Sequence, residues 1–244
     1  MRIPRIYTEQ PLSEQQQLRL DTAASHYLVQ VLRLREQAEL ILFNGDGYDY
    51  PAQLLDANKK QTLVSIGQRS DIEALPTLPI HLGLGISKGE RLEYALQKAV
   101  ELGVTEISLL DTEFNAVKLP PERLQKKMTH WQKIMIAACE QSGRKRLPQL
   151  HALQPLQQWI NQADAELKLM LHPTANRRLM DYGKPASVCL LIGPEGGFSE
   201  QEIRQAQQQD FQPLRLGRFV LRTETAPLAA IAAVQTLWGD FTSQ

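Results

Sequence analysis

Three stretches of this 244-residue chain carry residue types whose spacing suits ligand chemistry. In Leu190–Glu202, LLIGPEGGFSEQE, an apolar run ends in a Gly-Pro-Glu-Gly-Gly turn. Glycines there let backbone amides approach a ligand closely, and a turn at the carboxyl end of a strand is where open α/β sheets bind ligands. An ordinary strand–turn–helix junction has the same outline. Ser199 and Glu202 form an S-x-x-E pair, which predicts a helix-opening capping box rather than catalysis. In Leu216–Ala230, LGRFVLRTETAPLAA, a strand is expected to end near Leu216–Gly217. A loop with Arg218 and Arg222 follows, then Thr223-Glu224-Thr225 at a helix start. Helix-start amides and threonine hydroxyls can donate to a polar ligand. The same residues also read as a capped helix, with Thr223 or Thr225 as N-cap. The third stretch, AACEQSGRKRLP at Ala137–Pro148, closes a basic run. Lys118, Arg123, Lys126, Lys127, Lys133, Arg144, Lys145 and Arg146 face only Glu122 and Glu140. Such a cluster is an electrostatic footprint for phosphates, or a solvated helix face.

Other patterns carry less. GLGISKG at Gly83–Gly89 imitates a dinucleotide fingerprint, but Lys88 stands at the third glycine position. There is no G-x-x-x-x-G-K-[ST] and no H-E-x-x-H. The five histidines are scattered, and His172, at a strand end before Pro173, reads as a structural hydrogen-bonding residue. Cys139 and Cys189 lie far apart without metal-ligand spacing, so buried thiols in a reducing compartment are expected, and no metal.

The elements that must position these stretches are legible in outline. The first 74 residues read as a small β-rich unit. An Asn-Gly-Asp-Gly turn between Leu40–Phe43 and Tyr50–Leu55 predicts a hairpin; QTLVSIG adds a strand and Ala23–Leu32 a helix. RSDIEALPTLP, with Pro76 and Pro79, reads as a linker, which places the boundary near residue 75. Residues 75–244 then alternate strands and helices. PIHLGLGIS, EISLL, LKLMLH, VCLLIG and PLRLG read as strands; Arg91–Leu102, Glu122–Gln141 and the Ala-rich Thr225–Trp238 read as helices. LKLMLH and VCLLIG are short and nearly all apolar, as strands buried on both faces are. Strand–helix alternation argues a mostly parallel α/β sheet, and by itself an unknotted doubly wound one.

Composition sets outer bounds. Apolar residues are 43% of the chain and charged residues 22%, with 27 basic against 27 acidic. A packed core is thus expected and wholesale disorder is not. The zero net charge carries no argument for nucleic acid, which must rest on local clustering. MRIPRIYTEQ lacks an apolar leader segment and no stretch approaches a membrane span, so a soluble cytoplasmic protein is expected.

Taken in order, the motifs resemble the bacterial 16S rRNA (uracil-N3)-methyltransferase family of the SPOUT superfamily. The resemblance runs through RIPRIY at the start, H-x-x-x-V-L-R at His26–Arg33 and R-x-E-x-x-x-x-K-x-x-E-L-G-V at Arg91–Val104. A-x-E-Q-S-x-R-x-x-x-P at Ala138–Pro148, IGPEGGFS and LGxxxLRxETA complete it. It covers nearly the whole chain. It implies a PUA-like β-barrel RNA-binding domain at 1–74 and, at 75–244, a trefoil-knotted parallel sheet with helices on both faces. It further implies S-adenosylmethionine as cofactor, a homodimer, and as substrate uridine 1498 of 16S rRNA in the small ribosomal subunit. One departure stands out: Phe114, in Thr112-Glu113-Phe114-Asn115, replaces an arginine frequent in the family.

By motif match the cofactor pocket comprises Leu171, His172 and Pro173; Ile192, Gly193, Pro194, Glu195, Gly196 and Gly197; and Leu216, Gly217, Leu221, Arg222, Thr223, Glu224, Thr225 and Ala226. Uracil N3 carries a proton, so a base or a stabiliser of the uracil anion is needed. Arg222 is expected to stabilise negative charge, and Glu140 or Glu224 to accept the proton. RNA is expected along Arg2, Arg5 and Arg33 and along Lys118, Lys126, Lys127, Arg144 and Arg146. The competing readings are a SPOUT enzyme acting on ribose 2′-OH or on another RNA, a non-enzymatic rRNA-binding assembly factor, and a nucleotide-binding α/β protein.

Overall fold

In a computed structural model, residues 3–115, 117 and 120–241 are described. They form two compact units: Met1–Leu75 with Cys139–Leu147, and Pro76–Ala138 with Pro148–Gln244. No single cut in the chain yields this division, because a nine-residue excursion from the second half belongs to the first unit.

The first unit is built on a five-stranded sheet in the order β1-β3-β4-β5-β2. Its strands are β1 (Arg5–Tyr7), β2 (Gln17–Arg19), β3 (Glu39–Phe43), β4 (Tyr50–Asp56) and β5 (Leu63–Ile66). The hairpin β3–β4 forms as its turn predicts, with Leu42 opposite Tyr50 and Leu40 opposite Ala52. Along β4, Tyr50, Ala52 and Leu54 point inward while Pro51 and Gln53 face out, the period-2 alternation of a half-buried strand. The helix expected over 23–32 is a short α1 (Thr22–His26) running into a π-helical turn at Tyr27–Val31. Asp21 caps α1 by accepting from the Ala24 amide at 2.9 Å. Leu28 from that turn joins Ile6, Leu20, Leu40, Leu54 and Val64 in the core.

The excursion 139–147 is bonded into this unit. Arg5 donates to the carbonyls of Cys139 at 2.8 Å and Arg144 at 3.3 Å, and the Tyr7 amide donates to the Glu140 carboxylate at 3.0 Å. The Lys145 and Arg146 amides both donate to Glu73.

The second unit is a six-stranded, wholly parallel sheet in the order β11-β9-β10-β6-β7-β8. The strands are β6 (Ile80–Gly85), β7 (Glu106–Asp111), β8 (Gln149–Pro155), β9 (Leu167–Leu171), β10 (Val188–Ile192) and β11 (Gln212–Leu214). The helices are α2 (Gly89–Glu101), α3 (Pro121–Ser142, of which Cys139–Ser142 belong to the first unit), α4 (Leu156–Gln162), α5 (Glu200–Gln208) and α6 (Thr225–Trp238). Every residue of β10 is buried, as its unbroken apolar run requires. On α2 the buried stripe is Leu92, Ala95, Leu96, Ala99 and Val100, and Gly103 follows its end at φ +90°, a backbone state that favours glycine. Buried Gln235 of α6 donates to the Leu102 carbonyl at 3.0 Å, tying the last helix to the end of α2. Among the described residues no helix is long and apolar enough to cross a membrane.

Two expectations need correction. The strand expected at PLRLG ends at Leu214, so Leu216 and Gly217 lie in the loop beyond it. Neither Thr223 nor Thr225 caps α6: the N-cap is Glu224, without a side-chain cap bond. The carbonyl of Arg222 takes the amides of Thr225 and Ala226, both at 2.9 Å, and so occupies those helix-start donors.

Both cysteines are buried. Burial pushes the Cys139 thiol up to about 11, against the opposing pull of Arg144, and the Cys189 thiol up to about 12. The thiolate is the reactive form. Neither thiol is therefore expected to react with a disulfide reagent at pH 8 in the native chain, and both should react in denaturant. Rapid native-state labelling would contradict this burial.

A cavity at the carboxyl ends of three adjacent strands

Strand order explains why distant stretches converge. The sheet grows from β6 through β7 to β8 on one side, whereas β10 lies on the other side of β6, followed by β9 and then β11. The loops leaving β9, β10 and β11 are therefore neighbours at one rim of the sheet, the place where open parallel sheets hold ligands. Together they enclose a cavity of about 630 Å³.

Leu171, His172 and Pro173 line it from β9; Ile192, Gly193, Pro194, Glu195, Gly196 and Gly197 from β10; and Leu216, Gly217, Leu221, Arg222, Thr223 and Ala226 from the stretch after β11. Of the expected pocket residues, Glu224 and Thr225 are outside the lining. The lining further includes Arg91, Phe198, Leu214, Arg215, Phe219 and Val220, which the sequence reading left out of the pocket. Arg91 opens the R-x-E motif of α2, so a signal for it was present. Phe219 and Val220 give no such signal.

Local chemistry shapes each wall. Gly85 ends β6 beneath the turn after β10, and a Cβ there would come within 2.7 Å of the Pro194 nitrogen. Only a residue without a side chain lets that turn fold across the strand end. Gly85→Ala is expected to destabilise the chain by about 1–3 kcal/mol, because backbone must move to admit the methyl group. Urea denaturation checks this; unchanged stability would mean that the turn has room. Ser199 and Glu202 form the expected capping box, with Glu202 accepting from the Ser199 amide at 2.8 Å and Ser199 from the Glu202 amide at 3.3 Å. Phe198 and Ile203, flanking that cap, pack on the same apolar cluster beneath the sheet, as a hydrophobic staple does. Glu202 also accepts from the Glu113 amide at 2.9 Å, anchoring the loop after β7. Phe114 in that loop is exposed, and a Cβ at Gly196 would come within 2.7 Å of the Phe114 Cβ.

The rim is charged. Arg91 contacts Glu195 at 3.2 Å and Glu224 at 3.9 Å; Arg222 reaches Glu224 only at 4.0 Å. The Arg222 side chain lines the cavity and is 79% exposed, and among the described residues its ion-pair partner is Glu224 at that distance. His172 sits on the lining with its Nδ1 3.0 Å from the Thr174 hydroxyl.

The other expected site residues that are described are not in the lining of this cavity. Glu140 belongs to the first unit, where it accepts from the Tyr7 amide; burial pushes its carboxyl up from the ordinary range, while that amide and Arg5 pull it down. Arg5 is an interior tie rather than a surface cation, with a side chain only 8% exposed. Arg144 is half-buried, and burial lowers its pKa, opposed by Cys139 and Glu73. Arg146 is half-buried as well. Arg33 and Lys126 are exposed, and Lys127 is half-buried with its ammonium 3.2 Å from Glu93. Arg2 and Lys118 lie outside the described residues.

Residues 73–235 match the model of an RNA methyltransferase domain, and residues 20–67 that of an RNA methyltransferase PUA domain. Ribosomal RNA small subunit methyltransferase E of Buchnera aphidicola from Schizaphis graminum is 37% identical over 242 residues, covering 98% of each chain. This chain belongs to the ribosomal RNA small subunit methyltransferase E family. The Bacillus subtilis member is 29% identical and covers 93% of each chain. Among solved structures, the Legionella pneumophila protein Lpg2936, in complex with its cofactor SAM, superposes with a TM-score of 0.95 at 42% identity, covering 99% of this chain and all of that one. The Neisseria gonorrhoeae family member, bound to S-adenosyl methionine, gives 0.92 at 38% identity, with 99% and 100% covered. The fold is thus that of a SPOUT-type methyltransferase, with an N-terminal PUA domain before the parallel α/β sheet.

Proposed function

We propose that this chain transfers a methyl group from S-adenosylmethionine to N3 of a uridine in 16S rRNA. The observation that carries the reading is the convergence of three strand-end loops on one cavity, in a chain 42% identical to a protein solved with SAM. The cavity suits a nucleoside-sized ligand: its volume is within the range of small-molecule sites. Its walls mix apolar residues (Leu171, Ile192, Leu216, Leu221) with backbone of the glycine turn. Bound there, S-adenosylmethionine supplies an electrophilic methyl group.

The chain's own residues have two further tasks. A uracil N3 that is to be methylated must lose its proton, and the resulting charge needs a stabiliser. Arg222 is proposed for the second task, a reading supported by its place in the cavity lining and by its 79% exposed side chain. Glu224, which lies between Arg91 and Arg222, is the better placed of the two expected proton acceptors, since Glu140 is engaged in the first unit. N3 is on the pairing edge, so the target must be unpaired when it is presented. RNA is proposed to contact exposed Arg33 in the first unit and, separately, exposed Lys126 in the second. Arg5, Arg144 and Arg146 are left out of that surface because they are wholly or partly interior.

A homodimer is proposed as the active form. It is supported by a second cavity, of about 700 Å³, between residues 175–180 and α6, bordered by the exposed apolar side chains of Met180 and Leu237.

Mass spectrometry of 16S rRNA from cells with and without this protein tests the reading, with primer extension as a second reading. Loss of one base-methylated uridine that arrests extension is the expected result. Unchanged rRNA, or loss of a ribose methyl that extension passes, would overturn it.

A further inference from the structure

The histidines that are scattered in sequence do not stay scattered. His81 on β6 and Glu106 on β7 are register partners, and Ser108, two residues on from Glu106, partners His151 of β8. Successive pairs in a parallel ladder alternate faces, so all four side chains stand on one face of three adjacent strands. Glu106 Oε2 lies 2.9 Å from His151 Nε2 and 3.9 Å from His81 Nδ1. Ligand atoms from the three residues all lie within 4.8 Å of one another. The cluster stands at the amino-terminal part of the strands. Cys189, the β10 partner of His81, is three residues short of Ile192, where the cavity lining begins. At about 3.3 Å per residue that is roughly 10 Å along the sheet, so the two places are separate.

We propose that His81, Glu106 and His151 form a binding site for a divalent transition cation of the zinc type. Two imidazoles and one carboxylate are the donor set such ions take, and three protein ligands with a fourth position open to water is a common form. Tetrahedral bonds of zinc length set ligand atoms about 3.3 Å apart, and the two distances to Glu106 fall either side of that value. The surroundings supply what oriented ligands need. His81 Nε2 is 2.9 Å from the Ser108 hydroxyl, so with Nδ1 on the ion the other ring nitrogen donates to Ser108. That tautomer gives up the longer, 3.4 Å bond from the Trp159 indole. The Trp159 ring stays edge-on to His81, centroids 5.4 Å apart, and fixes the imidazole plane. The alternative occupant is a proton shared within the His–Glu–His group. An ion here would cross-link β6, β7 and the edge strand β8, and because no such cluster exists in the unfolded chain, binding would raise the thermal midpoint.

The full chain, stripped with a chelator, is titrated with Zn²⁺ against a chromophoric competitor, and with Co²⁺ read by visible absorption. Expected are a single tight zinc ion per chain, a cobalt band of tetrahedral intensity, and a raised thermal midpoint. His151→Ala and Glu106→Gln should each weaken zinc binding by on the order of a hundredfold or more, with unchanged circular dichroism. Glu106→Gln is nearly isosteric and gives the reading even if the alanine variant folds poorly. Absence of zinc uptake by the wild type, or uptake unaltered in Glu106→Gln, would overturn the proposal and leave the cluster to the shared proton.

Discussion

Arg222→Ala is expected to leave stability within about 0.5 kcal/mol of wild type while lowering the rate of methyl transfer by about 10²–10³-fold. The two expectations follow from the same geometry. The guanidinium is 79% exposed at the mouth of the cavity, and its nearest carboxylate, on Glu224, is 4.0 Å away, so its removal costs the fold little. The contribution Arg222 makes to α6, accepting from the amides of Thr225 and Ala226, comes from its backbone carbonyl, which alanine keeps. A cation held where charge develops acts mainly on the rate. Single-turnover methylation of small-subunit RNA, paired with urea denaturation, separates these effects. A wild-type rate in the variant would remove Arg222 from the chemistry.

Arg5→Ala is expected to behave in the opposite way, costing about 3 kcal/mol of stability. Arg5 pairs with Asp49 at 2.5 Å, with side chains only 8% and 17% exposed, and it donates to two carbonyls of the 139–147 excursion. Its ring-facing side lies 4.6 Å from the centroid of Phe43. Truncation strands a largely buried carboxylate and leaves those carbonyls without their donor. Equilibrium urea denaturation measures this; a loss under about 1 kcal/mol would mean that Arg5 is not a structural tie.

These two arginines show how far the sequence could be read. The IGPEGGFS and LGxxxLRxETA stretches were read as cavity walls by motif match, since a glycine turn at a strand end is equally the outline of an ordinary strand–turn–helix junction, whereas α6 was legible from end to end. The direction in which a basic residue points was not. Arg5 looks like an RNA contact when counted as a charge, yet its partners, Asp49 and the carbonyls of Cys139 and Arg144, come from chain segments that no local pattern links. Thr223 and Thr225 at the start of α6 suggested caps, but the Arg222 carbonyl took the Thr225 and Ala226 amides. Strand β8 and helix α4 were missed: QLHALQP is a half-exposed edge strand without alternation, and α4 has seven residues. The approach of His81 and His151 depends wholly on strand register, which lies beyond any single-sequence pattern.

The excursion of 139–147 into the first unit bears on the order in which a nascent chain can mature. Arg5 and the Tyr7 amide wait for acceptors more than 130 residues downstream. An emerging amino-terminal segment can collapse around Leu40 and Leu54, but it cannot close its bonding until residue 147 has been synthesised. Translation stalled before that point would release an incomplete domain with unmatched polar groups, a target for quality-control proteases.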